Sequence, residues 1–376
     1  MYTPFLKVVA QDIQKRFGND LSEIAIIFNN KRPITYLKKH LSDTYGRAIW
    51  SPQFFTIQEF FARSSNTEQI SPLAQFFYLF ELHNALLIQE GEQPETLEEF
   101  YPIAEIILSD FSQLDYDLVN IDHIFMELYD TTRIDIEFQH LTNEQQQFIR
   151  QFWQSFSIAG HTGIQERFLR IWKRLPKLYK QFKTILAKNR QSNFATIYRN
   201  LAEGKVDNPD FIKHFKKIVF EELNALNNVE AQLFQKGQEE GKALFYFDVD
   251  HYYLADKQQE AGLFVRRNIL QTKLDNALGE PSNIIGLRHD TINLYPSTGK
   301  VSQTQLLNQI LTDKESPEKT SATLLADESL LVPLLQSLPD KKVNITTGFP
   351  LTQSPIFGIL DLWMHVHQEI SNIKKK

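Results

Sequence analysis

Ile24-Ala25-Ile26-Ile27-Phe28-Asn29-Asn30-Lys31-Arg32-Pro33 is the stretch on which the fold turns. Its first five residues are all apolar. A run that short and that apolar fits a strand buried on both faces, as in a parallel sheet. Asn29-Asn30 then turns the chain, and Pro33 sits where a first-turn proline belongs. Ile34, Leu37 and Leu41 continue as a helical stripe. Strand, turn and helix in that order open a nucleotide-binding fold. A phosphate loop there needs glycines, so that backbone N–H groups can wrap phosphate, followed by Lys and Ser/Thr. The turn Phe28–Pro33 has no glycine, Pro33 supplies no N–H, and no Ser/Thr directly follows Lys31. The degenerate loop Asn29, Asn30, Lys31 and Arg32 is therefore not expected to bind nucleotide. Lys31 and Arg32, near a helix N-terminus, are candidate contacts to a DNA phosphate; a solvated turn capped by asparagine is the alternative.

The pattern repeats on both sides of a long helical stretch. Phe5–Phe17 reads as a helix and Phe54–Ile57 as a second strand. From Ser71 to about Ala202 β-type alternation is absent, and helices are expected at 74–87, 97–108, 121–129 and 143–156. Thr142 and Gln145 have capping-box spacing. Strands resume at Lys217–Phe220 and Ala243–Phe247, with a helix at Val229–Gln238 between them and another over Gly262–Leu274. Further short strands are expected at Asn283–Leu287, Ala322–Leu325 and Val343–Thr346, with helices at Gln303–Leu311 and Ser329–Leu338, and Lys314–Ser321 reads as an exposed loop. The architecture is an α/β domain split by a helical insertion, then a second α/β unit. An insertion that long folds as its own unit.

Composition sets outer limits. The 376 residues suggest two or three domains. The absence of cysteine excludes disulfides, thiol catalysis and thiolate metal sites, and points to a cytoplasmic home. No apolar run approaches the ~20 residues of a membrane span. The net charge of −6 is uninformative, but its distribution is not. Glu90–Glu137 holds fourteen Asp/Glu and one base, Arg133, whereas Glu166–Arg190 holds nine Lys/Arg and one acid. Segregated charge suits different faces and different partners. Phe168, Trp172, Leu175, Tyr179, Phe182 and Leu186 recur at helical steps through the basic stretch, so its aromatics read as core. Arg170, Arg174, Lys177, Lys180 and Lys188 fall mostly opposite, and the first four are candidate DNA contacts. Pro176 is expected to kink or break this helix.

Other constellations are weaker. Glu221-Glu222 ends a strand where a motor keeps the acids that bind Mg²⁺ and activate water. Asp248-Val249-Asp250 after Phe247 could chelate Mg²⁺ for phosphoryl transfer, although a DxDxT phosphatase would want Thr in place of Tyr252. Pro209-Asp210 with Glu240-Gly241-Lys242 matches a PD…(D/E)xK nuclease only superficially, because Glu240-Gly241 lies in a turn before its strand. Pro339-Asp340 has no later Glu/Asp-x-Lys. His365-Val366-His367 lacks a third ligand. No catalytic residue, metal site or cofactor is expected.

Taken in order, several stretches resemble the inactivated superfamily-1 helicase part of bacterial AddB/RexB-type helicase–nucleases. They are Ile24–Arg32, Trp50-Ser51-Pro52 with Phe55-Thr56-Ile57, Ile106–Phe111 with Asp115, Phe220–Leu226, Ala243–Tyr253, Glu260–Phe264, Leu325–Leu330 and Asn344–Leu351. The likeness lies in their order and spacing and runs over nearly the whole chain. It implies a RecA-like (P-loop NTPase-like) domain 1A over 1–70 and 206–281, split by an all-helical 1B over 71–205. The start of a second RecA-like domain, 2A, follows over 282–376. It further implies an ATPase-dead DNA-binding and scaffold segment for processing double-strand DNA ends, with an AddA-type helicase–nuclease subunit as partner and single-stranded or duplex-end DNA as ligand. Family members continue into a PD-(D/E)XK nuclease whose residues are not in this sequence. The chain is thus expected to be a fragment or a truncation without nuclease activity. Two alternatives remain open: an interaction module docking through Glu90–Glu137 without DNA contact, and a Mg²⁺ phosphohydrolase using Asp248 and Asp250.

Overall fold

The computed structural model describes residues 3–125, 142–154, 163–205, 208–221, 223–285, 291–313, 321–338 and 343–374. Glu222, Pro339-Asp340, residues 126–137 of the acidic stretch and most of the 314–321 loop lie outside them. The chain divides into two compact units, Met1–Arg288 and His289–Lys376.

The first unit is built on a parallel four-stranded sheet. Its strands are β1 (Ile24–Phe28), β2 (Gln53–Thr56), β5 (Lys217–Glu221) and β6 (Ala243–Tyr246), in the order β2-β1-β5-β6. A separate two-stranded ribbon pairs β3 (Glu68–Gln69) with β4 (Gln191–Ser192). All five residues of β1 are buried, as its apolar run requires. Side chains alternate across the sheet. Ile24, Ile26 and Phe28 meet Val9, Ile13, Leu37 and Leu41 of the helices Phe5–Phe17 and Arg32–Tyr45 on one face. Ala25 and Ile27 meet Phe60, Ile197, Tyr198 and Phe234 on the other. The chain therefore winds one way from β1 to β2 and the other way from β5 to β6. That reversal puts the switch point of the sheet between β1 and β5, where Phe28 pairs with Glu221.

Between β2 and β5 runs the helical stretch: Pro72–Gln89, Leu97–Tyr116, Ile121–Ile124, Asn143–Gln154, Gly163–Lys188 and Phe194–Ala202. It has a hydrophobic core of its own, including Phe76, Leu79, Phe100, Phe111, Leu178 and Phe182. It nevertheless belongs to the same compact unit as the sheet. Pro176 does not break the basic helix, which is continuous over Gly163–Lys188, and Pro102 sits inside Leu97–Tyr116 in the same way. Thr142 and Gln145 do exchange capping-box hydrogen bonds, at 3.0 and 3.3 Å.

The second unit departs from expectation. Its described residues contain no strand. Ala322–Leu325 and Val343–Thr346 are irregular, and so are the described residues of Asn283–Leu287, which lie at the end of the first unit. Among the described residues these runs have no partner strand, and Leu324, Val343 and Ile345 are exposed. The unit is formed by the helices Lys300–Asp313, Leu331–Ser337 and Pro355–Lys374 with short 3-10 turns. No described helix is long and apolar enough to cross a membrane.

Candidate functional site

A cleft of 960 Å³ opens beyond the carboxyl ends of β1 and β2. One wall is Asn29, Asn30 and Lys31, from the turn after β1. A second is Thr56, Gln58, Glu59, Ala62 and Arg63, from the end of β2 and the helix Ile57–Arg63. Phe194, Asn208 and Phe211, from the chain returning out of the helical stretch, close the third. The cleft therefore lies over β1 and β2, to one side of the β1/β5 switch point.

The lysine of this turn has an internal anion. Lys31 Nζ lies 2.7 Å from Glu59 Oε1. The other oxygen of Glu59 accepts from Thr56 N at 3.0 Å, while Thr56 Oγ1 accepts from Glu59 N at 3.2 Å. This is a capping box at the helix start. The Lys31 hydrogen bond, then the Thr56 backbone N–H, hold the Glu59 carboxyl below the usual carboxylate range. Asn30 Oδ1 accepts from Arg32 N at 3.1 Å, so the first N–H of the following helix already has a partner within the turn. Arg32 itself is exposed. Glu59 was missed as a site residue. Its signal, Thr56-x-x-Glu59 directly after a strand, was present in the sequence. Arg63, over the Phe55 ring at 5.1 Å, and Asn208, whose side chain donates to the Arg63 carbonyl at 2.9 Å, carried no such signal.

The basic helix is not wholly free. Arg174 is buried, its guanidinium donating to Glu90 at 2.7 Å and Glu92 at 2.6 Å. Arg167 reaches Glu95 at 3.3 Å, and Lys177 donates to Gln89 Oε1 at 3.0 Å. The opening of the acidic stretch thus faces the basic helix. This corrects the expectation that the two charge runs serve separate partners and that Arg174 lies on an open cationic face. Opposite charges on neighbouring helices neutralise each other when packing brings them within reach. Arg170, Lys177 and Lys180 remain exposed, with Arg170 3.9 Å from Glu166. The aromatics are core, as their spacing implied: Tyr179 and Phe182 are buried, and Trp172 packs against Phe125 and Phe168.

Deeper in, Asp115 is 1% exposed and gathers Tyr179, Lys183 and Arg199. Lys183 also donates to Thr196 Oγ1 at 2.5 Å. Burial lowers the Lys183 pKa against the pull of Asp115. The network ties Leu97–Tyr116 and the basic helix to Phe194–Ala202, which packs on the sheet. Only Asp115, a carboxylate on an apolar helical face, hinted at it in the sequence.

At the end of β6, Asp250 is committed elsewhere than to a metal. Its carboxylate accepts from Tyr252 N at 3.0 Å, Ser282 Oγ at 3.0 Å, Ile284 N at 2.7 Å and Ile285 N at 3.2 Å. It clamps the segment from Ser282 to Ile285 onto the chain four residues beyond β6. Burial opposes ionisation, but these donors outweigh it and lower the Asp250 pKa. The Asp248 pKa is raised, by desolvation first and by the Asp250 charge second. Among the described residues no three His, Asp or Glu side chains come together to hold a metal ion. Glu221 is fully buried at the sheet's switch point. Glu240-Gly241 is a helix C-cap and turn, and Asp210 is in the first turn of the helix Pro209–His214. No protein-family model and no curated protein matches this chain.

Proposed function

We propose that this chain is a non-hydrolysing, helicase-like segment that holds DNA and serves as a scaffold beside an active motor. The observation that carries the reading is the Lys31–Glu59 ion pair at 2.7 Å. It stands at the end of the first strand of a parallel α/β sheet, where a phosphate loop would place a lysine against nucleotide phosphate. A carboxylate takes that place, so the layout of a motor is kept without its nucleotide chemistry. The family suggested is the AddB/RexB type, with a RecA-like domain split by the helical stretch, a partial second one after it, and an AddA-type subunit as partner in processing double-strand DNA ends in the cytoplasm.

DNA contact falls to the exposed cations Lys31, Arg32, Arg170, Lys177 and Lys180, and Arg174 supports them from inside. Binding through phosphates is sequence-independent and weakens with salt. The test is fluorescence anisotropy with tailed duplex DNA at ~50 mM salt. Saturable binding, weakened when Arg170, Lys177 and Lys180 are all changed to Glu, supports the reading. No binding, or binding indifferent to that change, overturns the DNA part of it. The four hydrogen bonds on Asp250 weigh against a phosphohydrolase, and the engagement of Glu90, Glu92 and Glu95 with the basic helix weighs against their docking a partner.

A further inference from the structure

The helix Pro355–Lys374 carries a heptad seam that nothing above uses. With Ile356 at position a, the a sites are Ile356, Trp363 and Ile370, and the d sites are Ile359, Val366 and Ile373. All six are exposed, from 44% at Ile370 to 71% at Ile373. Leu360 and Leu362, at the flanking e and g sites, are exposed as well. Asp361, His365 and Gln368 fall on the opposite side. Among the described residues nothing of its own unit covers this face, and an apolar face of that kind marks an interaction site.

We propose that this helix pairs antiparallel with the same helix of a second copy of the chain. The order of its side chains argues for self-pairing. Read from either end, the seam is two isoleucines, a central pair and two isoleucines. Antiparallel pairing about the helix midpoint sets Ile356 opposite Ile373, Ile359 opposite Ile370 and Trp363 opposite Val366, each twice by the two-fold axis. Such an interface is isologous, and only a self-complementary surface closes it. It sets the large Trp363 against the small Val366, so the central layers interdigitate. A parallel pair would stack Trp363 on itself and Val366 on itself, one layer overfull and the next thin. Opposed helix dipoles favour the antiparallel sense too. Glu369, at a g site, meets Leu362 and no like charge.

The eight seam side chains are 44–71% exposed, so pairing has apolar surface to cover along the whole helix, toward the ~800 Å² per partner that a standard stable interface buries.

Sedimentation equilibrium on the full chain tests the proposal. A dimer is expected at micromolar concentration. Ile359→Lys with Ile370→Lys is expected to yield monomer, and Asp361→Ala, on the opposite side, to leave the dimer intact. The chain has no cysteine, so single cysteines report the sense of pairing under a mild oxidant. Ile356→Cys chains mixed with Ile373→Cys chains are expected to form a mixed disulfide. Neither variant alone is expected to cross-link, because antiparallel pairing holds like ends roughly 25 Å apart. A chain that is monomeric throughout overturns the proposal, and so does a dimer that survives the double lysine change. Self-linking of the Ile373→Cys variant overturns the antiparallel arrangement.

Discussion

Glu59 occupies both a capping box and an ion pair, so its removal separates two effects. Thr56→Ala removes only the cap and is expected to cost about 1 kcal/mol in urea denaturation. Glu59→Gln keeps a capping side chain but releases Lys31. It is expected to tighten DNA binding in the anisotropy assay, because a cation at the cleft loses its internal carboxylate. Unchanged binding would mean that Lys31 takes no part. Arg174 behaves differently, since its guanidinium is buried among its partners. Arg174→Ala is expected to lower stability by about 1.5–3 kcal/mol, the usual worth of hydrogen bonds to charged groups. Glu230 offers a pH test. Desolvation pushes its pKa up from the ordinary 4.5 to about 6. Between those values the folded state binds more protons than the unfolded one, so stability falls as pH rises, and the penalty is complete above about pH 6. Its size is about 2 kcal/mol at 1.36 kcal/mol per pH unit. Glu230→Gln can keep the Asn227 capping box and is expected to flatten the stability profile between pH 4.5 and 6. A profile as steep as the parent's would assign the titration elsewhere.

Elements were legible where local chemistry alone forms them. β1, β2, β5 and β6 were each visible as short runs with an apolar centre; β1, buried at all five positions, has no polar residue to spare, while the edge strand β2 carries Gln53 and Thr56. The helices announced themselves by apolar spacing and caps. The runs at Ala322–Leu325 and Val343–Thr346 look the same in sequence, yet form no strand. A strand exists only with a partner, and the partner is not written in the run itself. Asp250 shows the same limit from the other side. Read locally, Asp248-Val249-Asp250 is a metal-binding pattern. The segment from Ser282 to Ile285, more than thirty residues on, supplies the donors that turn Asp250 into a clamp. Asp250→Asn leaves one fewer acceptor for those N–H groups. It is expected to speed proteolysis near Ser282 in a limited-digestion time course. Cleavage at the parent's rate would show that the clamp contributes little.

At the scale of the molecule, the sheet, its helical stretch and the cleft over β1 and β2 form one compact unit, and the helices after His289 form another. The turn Phe28–Pro33 shows in sequence that it has no glycine and no Ser/Thr after Lys31, but not that Lys31 meets Glu59. Lys31 and Glu59 lie 28 residues apart and meet only because β1 and β2 pair in parallel. The closing of charge on charge at Arg174 was hidden for the same reason, since Glu90 and Glu92 lie more than eighty residues before it. Both encounters support the proposed reading, an inert motor layout that keeps exposed cations. Its most direct test is the affinity for tailed duplex DNA measured with and without MgATP, with phosphate release followed in the same samples. The expected result is salt-sensitive DNA binding that MgATP does not shift, and no phosphate released. DNA affinity that moves with MgATP, or steady phosphate release, would contradict the account at its centre.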